Sequence, residues 1–163
     1  RRSRRQRQMC IRDRFPTELF DADGDTLVDV GKEYGTVTGR RRRAGWLDCV
    51  MLRQAVRLNS LTELALTKLD ILDGFETIKI CTGYRLDGVL LEHYPDRSEL
   101  IADVEPVYVT LPGWGSVLSD KREPGELPPE AKRFIEIVEE QVGVPVKVVG
   151  VGAERDDYLV WAS

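Results

Sequence analysis

The chain has 163 residues, of which 42% are hydrophobic and 32% are charged, and its formal net charge is −4. This length and composition suit one domain, or a piece of one, with a moderate core. The sequence contains no apolar run of membrane-spanning length and no secretory-signal pattern, so it favours neither a membrane protein nor a secreted one.

The charge is divided unevenly along the chain. Residues 1–14 contain seven arginines and one aspartate and show no apolar periodicity. The other 17 basic and 27 acidic side chains give residues 15–163 a net charge of −10. An arginine-rich tail can serve as a nucleic-acid arm or a transit peptide, but an acidic body argues against nucleic-acid binding. We therefore predict a non-native or disordered basic tail at 1–14 and one folded region at 15–163.

Between residues 15 and 34 the chain is rich in residues that interrupt regular structure, including Pro16, Gly24 and Gly31. The run Asp-Ala-Asp-Gly-Asp at 21–25 looks in part like a calcium-binding loop. It lacks the glycine and the glutamate that such a loop needs at its sixth and twelfth positions. We therefore predict a turn between short elements here.

Residues 35–43 combine two glycines, two threonines and four arginines ahead of a helix predicted over residues 44–59. Glycines let a backbone approach a ligand closely, and hydroxyl and guanidinium groups donate hydrogen bonds to carboxylate or phosphate oxygens. The simpler interpretation of four consecutive arginines is a solvated basic surface or a nucleic-acid patch. The predicted helix favours the anion-binding interpretation, because its amino-terminal dipole would attract an anion nearby.

A predicted strand at 64–69 leads into Thr67-Lys68-Leu69-Asp70, which is similar to the Asn-Lys-x-Asp signature of GTP-binding proteins. An aspartate carboxylate can accept hydrogen bonds from the ring N–H and the exocyclic amine of guanine, and a lysine stem can lie along the base. Open α/β sheets bind ligands at the carboxyl ends of their strands, where this motif lies. Taken alone, the four residues are equally compatible with a surface turn.

The remaining pattern predicts an α/β fold, a mixed sheet with flanking helices. A helix is predicted at 129–142, opened by prolines and ended by Gly143, and residues 95–103 are predicted to form a loop. Leu86-Asp87-Gly88 is predicted to turn a hairpin. The further predicted strands are 76–85, 89–93, 106–111, 146–151 and 158–162.

Metal-ligating residues are few and scattered. Cys10, Cys49 and Cys81 have no metal-ligand spacing, and the single His93 is predicted to lie on the surface. We therefore predict no metal site and a reducing, cytoplasmic setting.

Six stretches in unbroken order resemble the adenylosuccinate synthetase family, whose members use GTP to join L-aspartate to IMP. The resemblance runs from about Phe15 to about Asp157 and covers only the carboxyl-terminal part of such an enzyme. It implies that the mixed sheet is the carboxyl-terminal section of a larger P-loop-NTPase-like α/β domain. The stretches are Phe-Pro-Thr-Glu-Leu at 15–19, Glu-Tyr-Gly-Thr-Val-Thr-Gly-Arg at 33–40, Gly-Trp-Leu-Asp at 45–48, Leu-Thr-Lys-Leu-Asp-Ile-Leu-Asp-Gly at 66–74, Leu-Pro-Gly-Trp at 111–114 and Val-Gly-Val-Pro at 142–145.

The resemblance also implies roles for particular residues. Arg40 would bind both aspartate and the IMP ribose, Arg42 would lie between aspartate and the GTP phosphates, and Lys68 with Asp70 would select guanine. The implied aspartate-binding loop consists of Thr36, Val37, Thr38, Gly39, Arg40, Arg41 and Arg42. The implied GTP-binding residues are Arg42, Lys68, Leu69, Asp70, Gly150, Val151 and Gly152.

Four positions in the chain depart from the family pattern. Val37 stands where many members have threonine, and Arg41, at a position often held by proline, is expected to face solvent. Gly150 replaces a usual serine and Ala153 a usual proline. These last two changes remove a hydroxyl and a φ constraint, and they leave the expected approach of the backbone to guanine intact.

The family's glycine-rich phosphate loop, catalytic aspartate and histidine, and Mg²⁺ ligands belong to the amino-terminal part. No catalytic residue is therefore expected here, and the chain alone is expected to be inactive. The expected ligands are IMP, L-aspartate and GTP, with a homodimer for the full-length enzyme and neither nucleic acid nor membrane as partner. Two alternatives remain: a nucleic-acid-binding module built on the tail and the arginines at 40–43, and a standalone guanine-nucleotide-binding or structural module derived from the synthetase.

Overall fold

The computed structural model describes residues 15–95 and 98–161, so the basic tail predicted at 1–14 lies outside the described residues. These residues form three α-helices, seven strands and three short 3₁₀ helices, which agrees with the predicted α/β class. The helices are α1 (Ala22–Val30), α2 (Cys49–Asn59) and α3 (Pro129–Val142). The strands are β1 (Leu47–Asp48), β2 (Leu64–Leu66), β3 (Thr77–Leu86), β4 (Val89–Leu91), β5 (Glu105–Pro112), β6 (Val146–Gly150) and β7 (Tyr158–Val160). The 3₁₀ helices are Leu69–Leu72, Ser98–Ala102 and Pro124–Glu126.

The strands divide into two mixed sheets. In the first, β3 pairs in parallel with β1 and antiparallel with β4 and β5. In the second, β6 pairs in parallel with β2 and antiparallel with β7. β1 lies within the helix predicted at 44–59. The sequence pattern predicted the other six strands and their mixed character. It gave no sign of this division, because partners such as β2 and β6 are far apart in the chain.

One apolar core joins the two sheets through α3. The amphipathic pattern of α3 buries its apolar side, and Gly143 ends the helix in the left-handed conformation, with φ of 78°. Side chains from β3, α3, β6 and β7 meet in this core with the ring of Trp114. Its most buried members include Ile78, Ile80, Trp114, Leu118, Ile135, Val138, Val146, Val149 and Leu159.

The turn predicted at 21–25 is wrong, because a helix begins there. Asp21 caps α1, and its carboxylate accepts a hydrogen bond from the Gly24 N–H at 3.1 Å. Leu27 and Val28 are buried on the inner side of this helix. The same aspartates and glycine that suggested a turn are thus the cap and first turn of a short helix, as is usual for aspartate at this position.

Other boundaries differ by a few residues. Helix α2 begins at Cys49 rather than at 44, because Leu47 and Asp48 pair with β3. Strand β2 ends at Leu66, because Lys68 adopts φ of 62° and a 3₁₀ helix follows. The predicted 95–103 loop contains the 3₁₀ helix Ser98–Ala102, and residues 96–97 are outside the described part. The hairpin turn is confirmed, with positive φ at both Asp87 and Gly88.

Candidate functional site

The arginine loop, residues 35–43, is the tip of a small hydrogen-bonded hairpin. The Gly35 N–H donates to Arg40 O and the Gly39 N–H to Gly35 O, both at 2.8 Å. Tyr34 and Arg41 form an antiparallel bridge, which continues the pairing below the tip. Gly39 has φ of 61°, a value that glycine adopts without strain. The backbone of the loop is therefore well defined although most of its side chains are exposed.

Three of the four arginines in the loop pair with carboxylates on three different segments. Arg41 forms an ion pair with Asp25 of α1, which raises the pKa of Arg41, and its side chain remains 49% exposed. Arg42 Nη1 lies 3.2 Å from Glu33 Oε2, and Arg43 Nη1 lies 3.5 Å from Glu18 Oε2. These contacts fasten the loop on both sides.

The other loop side chains differ in what they offer a ligand. The Arg40 side chain forms no ion pair with any residue that the structure describes, which leaves its guanidinium for a ligand. Val37 is 97% exposed. Thr38 Oγ1 accepts a hydrogen bond from the Arg40 N–H at 3.3 Å and so already supports the turn, while Thr36 is exposed.

The guanine-type motif follows β2 in an unusual backbone conformation. Lys68 lies in the left-handed region and starts the 3₁₀ helix that carries Asp70. Its Nζ donates to Gly31 O at 2.9 Å and forms an ion pair with Glu33. Asp70 Oδ1 is buried and has no hydrogen-bond partner among the described residues. A buried carboxylate oxygen without a donor is costly, so Asp70 retains unused capacity to accept a hydrogen bond.

A pocket of about 680 Å³ lies where the carboxyl ends of β2 and β6 meet. The strands are parallel neighbours, so the residues that follow each strand lie at the same edge of the sheet. A Cβ atom on Gly150 would lie 3.2 Å from Thr67 Cα and 3.3 Å from Lys68 N, so this glycine lets β6 approach the motif closely. The pocket is lined in part by Gly31, Lys68, Asp70, Gly150, Gly152 and Tyr158.

Two of the residues named from the sequence turn away from the pocket. The side chains of Leu69 and Val151 are buried in the apolar core, at 3% and 0% exposure. Only their backbones are available to a ligand. The pocket lining includes Thr67, Lys68 and Asp70 of the motif.

Glu33 joins the arginine loop to the pocket. One carboxylate oxygen contacts Arg42 and the other contacts Lys68, so a loop residue and a pocket residue share one partner. The hydrogen bond from Lys68 is the main reason that the pKa of Glu33 lies below its ordinary value. Sequence reasoning gave Glu33 no role of its own. The available signal was a carboxylate placed directly before a loop of arginines.

The amino terminus of α2 is closed to an external anion, which corrects the expectation that it would assist the arginine loop. Asp48 is buried, and its Oδ1 accepts hydrogen bonds from the Val50 and Met51 N–H groups at 3.0 and 3.1 Å. Its Oδ2 accepts the Tyr84 hydroxyl at 2.5 Å. The Asp48 carboxylate thus occupies the positive end of the helix dipole.

The described residues do not form a metal site. In this part of the chain no three histidine, cysteine, aspartate or glutamate side chains come together in a way that could hold an ion. A Mg²⁺ ion needs several oxygen ligands in an octahedron, and the lone Asp70 oxygen does not fit that requirement.

Cys49 and Cys81 are free thiols, and their burial raises the pKa of each to about 12. His93 is exposed, as predicted. Among the described helices, none is both long and apolar enough to cross a membrane.

Fold and pocket together define a mixed α/β protein with a ligand pocket at the carboxyl ends of parallel strands. The family model described as adenylosuccinate synthetase matches residues 11–159. The chain therefore belongs to the adenylosuccinate synthetase family, as the sequence resemblance predicted.

Relatives of known name agree with this assignment. The chain is 52% identical over 146 residues to an adenylosuccinate synthetase of Pelobacter propionicus and 50% identical over 145 residues to one of Halothermothrix orenii. These matches cover 90% and 89% of this chain but 34% of each relative, so the chain spans about a third of their length. It also matches the structure of a fully ligated adenylosuccinate synthetase from Plasmodium falciparum, with 40% identity and a TM-score of 0.87, over 91% of this chain and 36% of that one.

Proposed function

We propose that this chain supplies the aspartate-binding loop and the guanine-recognising wall of a ligase that uses GTP to join L-aspartate to IMP. In the proposed reaction GTP phosphorylates the 6-oxygen of IMP, and the aspartate amine then displaces the phosphate, giving adenylosuccinate, GDP and phosphate. The task of the protein in such a reaction is to neutralise charge and to hold the reactants in position. Loops rich in arginine and backbone N–H groups suit that task.

The observation that carries the proposal is that Asp70 borders the pocket beside Lys68 and has a buried carboxylate oxygen with no hydrogen-bond partner among the described residues. Guanine presents a ring N–H and an exocyclic amine side by side, and one carboxylate can accept both hydrogen bonds. Lys68 would lay its stem along the base. The backbone of Leu69, Gly150, Val151 and Gly152 would complete the contact with the nucleotide, and the absence of a side chain at Gly150 supports this close approach.

The arginine loop would bind the amino acid. We assign the two carboxylates of aspartate to hydroxyl, backbone N–H and guanidinium donors of Thr36, Val37, Thr38, Gly39, Arg40, Arg41 and Arg42. Arg40 would also reach the IMP ribose, and Arg42 would lie between aspartate and the GTP phosphates. The Glu33 contacts of Arg42 and Lys68 support this arrangement, since they join the loop to the pocket rim.

The complete enzyme would add what this chain does not offer. We assign catalytic residues and Mg²⁺ ligands to the other two thirds of the protein, and we propose a cytoplasmic homodimer as its working form. No residue of this chain is assigned a catalytic role.

An exchange of base preference tests the guanine assignment. In D70N the side-chain amide N–H₂ can donate to the 2-carbonyl of xanthine but repels the exocyclic amine of guanine, so the preference should pass from guanosine to xanthosine. We expect guanosine binding to weaken at least about tenfold, which corresponds to about 1.4 kcal/mol. Backbone-amide NMR titrations of the labelled 163-residue chain with each nucleoside measure this change.

D156N is the matched control, because Asp156 is exposed on the turn between β6 and β7 and is not part of the pocket lining. Its nucleoside preference should equal that of the unaltered chain. Equal preferences in D70N and the unaltered chain would show that Asp70 does not recognise the base.

A further inference from the structure

Glu33 lies between the end of α1 and the arginine loop, and its backbone is fixed on both sides. Its N–H donates to Val28 O at 2.8 Å, and its carbonyl accepts the Arg42 N–H at 2.8 Å. The first bond ties Glu33 to the last turns of α1, and the second ties it to the base of the loop hairpin. Two hydrogen bonds therefore hold the backbone that carries the carboxylate in place.

The carboxylate holds two cations that belong to different ligand regions. Its oxygens contact Arg42 of the arginine loop and Lys68 of the guanine pocket, and Lys68 also donates to Gly31 O at 2.9 Å. The Glu33 side chain is 23% exposed, whereas Arg42 and Lys68 are 58% and 48% exposed. Glu33 is thus the most enclosed member of the group and acts as its anchor.

The three side chains carry two positive charges and one negative charge. A ligand that changes the position of one cation therefore changes the electrostatic environment of the other through their shared carboxylate. Without that carboxylate, Lys68 would retain Gly31 O and would face Arg42 with no anion between them. Charge-assisted hydrogen bonds of this kind fix orientation more strongly than neutral ones.

We propose that Glu33 is a positioning residue that couples the arginine loop to the guanine pocket, holding Lys68 along the pocket rim and Arg42 at the loop base. The inference rests on the proposed function, because it concerns the two regions assigned there. A carboxylate that merely adds a surface ion pair would alter stability and leave the two regions independent. Coupling between ligand regions is therefore the quantity to measure.

The experiment titrates guanosine, a probe without phosphates, into the labelled 163-residue chain at up to millimolar concentration. Amides of 68–70 and 150–152 report on the pocket, and amides of 36–42 report on the loop. In the unaltered chain both groups should shift with one apparent dissociation constant. In E33Q the pocket should bind guanosine at least about fivefold more weakly, and the loop amides should no longer respond. E33D, which keeps the charge, should retain the loop response.

D25N provides the matched control, because it removes the ion-pair partner of Arg41 on the other side of the same loop and leaves the Lys68 contacts untouched. Its loop amides should respond to guanosine as in the unaltered chain. A full loop response in E33Q, or pocket shifts without loop shifts in the unaltered chain, would overturn the coupling and leave the guanine assignment standing. The absence of pocket shifts in the unaltered chain would instead contradict the proposed function, and the coupling with it.

Discussion

Two partly or fully buried aspartates have opposite surroundings. Asp48 has a donor for each oxygen, from two helix N–H groups and from the Tyr84 hydroxyl. Burial raises the pKa of Asp48, while the Tyr84 hydrogen bond acts in the opposite direction. Asp70 has an oxygen with no partner among the described residues, and it borders the pocket. We infer that Asp48 stabilises the fold, whereas Asp70 is held ready for a ligand.

The removal of the Tyr84 hydroxyl should therefore destabilise the chain. Y84F leaves Asp48 Oδ2 buried without its donor, and the loss of a hydrogen bond to a charged group costs about 2 kcal/mol. Urea unfolding, followed by circular dichroism, should show a lower midpoint with an unchanged slope.

Y34F is the matched control for that measurement. The Tyr34 hydroxyl donates to Asp29 Oδ1 at 2.6 Å, but the contact is exposed, so water replaces the lost donor. We expect a change of less than about 0.5 kcal/mol. Equal losses in the two variants would contradict the structural role assigned to the buried pair.

At the scale of elements, Arg53 holds four segments together. From α2 it donates to Thr82 O of β3 and to Glu92 O after β4, both at 2.8 Å, and to Gln141 O of α3 at 3.1 Å. The planar guanidinium distributes five N–H donors over three nitrogens and reaches these carbonyls through two of them, whereas lysine presents its three donors from a single nitrogen. The side chain therefore fixes α2 against the first sheet and against α3.

R53K should weaken the attachment of α2 to the first sheet and to α3, although it keeps the positive charge. We expect a loss of about 1–3 kcal/mol in the free energy of unfolding, because the part-buried carbonyls of Thr82 and Gln141 lose their donor. R57K on the same helix is the control: Arg57 is exposed and contacts Gln54 within its own helix, so the loss should be below about 0.5 kcal/mol. Differential scanning calorimetry measures both, and similar midpoints for the two variants would count against the cross-link.

Elements with a strong local pattern were well predicted from the sequence. Helix α3 and the β3–β4 hairpin have a clear apolar period, a fitting turn and a glycine stop, so little of their position depends on distant residues. Helix α1 was missed, because aspartate and glycine favour both turns and helix starts, and burial of Leu27 and Val28 decides between the two. The start of α2 was misplaced, since the pairing of β1 with β3 is not visible in local sequence.

At the scale of the molecule, the chain spans about a third of its relatives' length. We propose that it supplies binding residues and that the catalytic residues lie elsewhere in the protein. The purified chain should therefore form no adenylosuccinate from IMP, aspartate, GTP and Mg²⁺, as measured by absorbance. Turnover at an ordinary enzyme rate would refute the assignment of catalysis to the rest of the protein.

The affinity of the purified chain for GTP should be weaker than micromolar in calorimetry, because we assign most of the phosphate-binding groups to the rest of the protein.

The sequence by itself determined the α/β class, the arginine loop and the Thr-Lys-x-Asp motif, because periodicity, turn chemistry and short motifs are properties of neighbouring residues. The tertiary structure decided that β2 and β6 lie side by side, that their carboxyl ends enclose one pocket, and that Glu33 joins this pocket to the loop. Strand pairing depends on which distant apolar faces are buried together, and side-chain partners depend on that pairing. Both are long-range properties that local sequence does not encode.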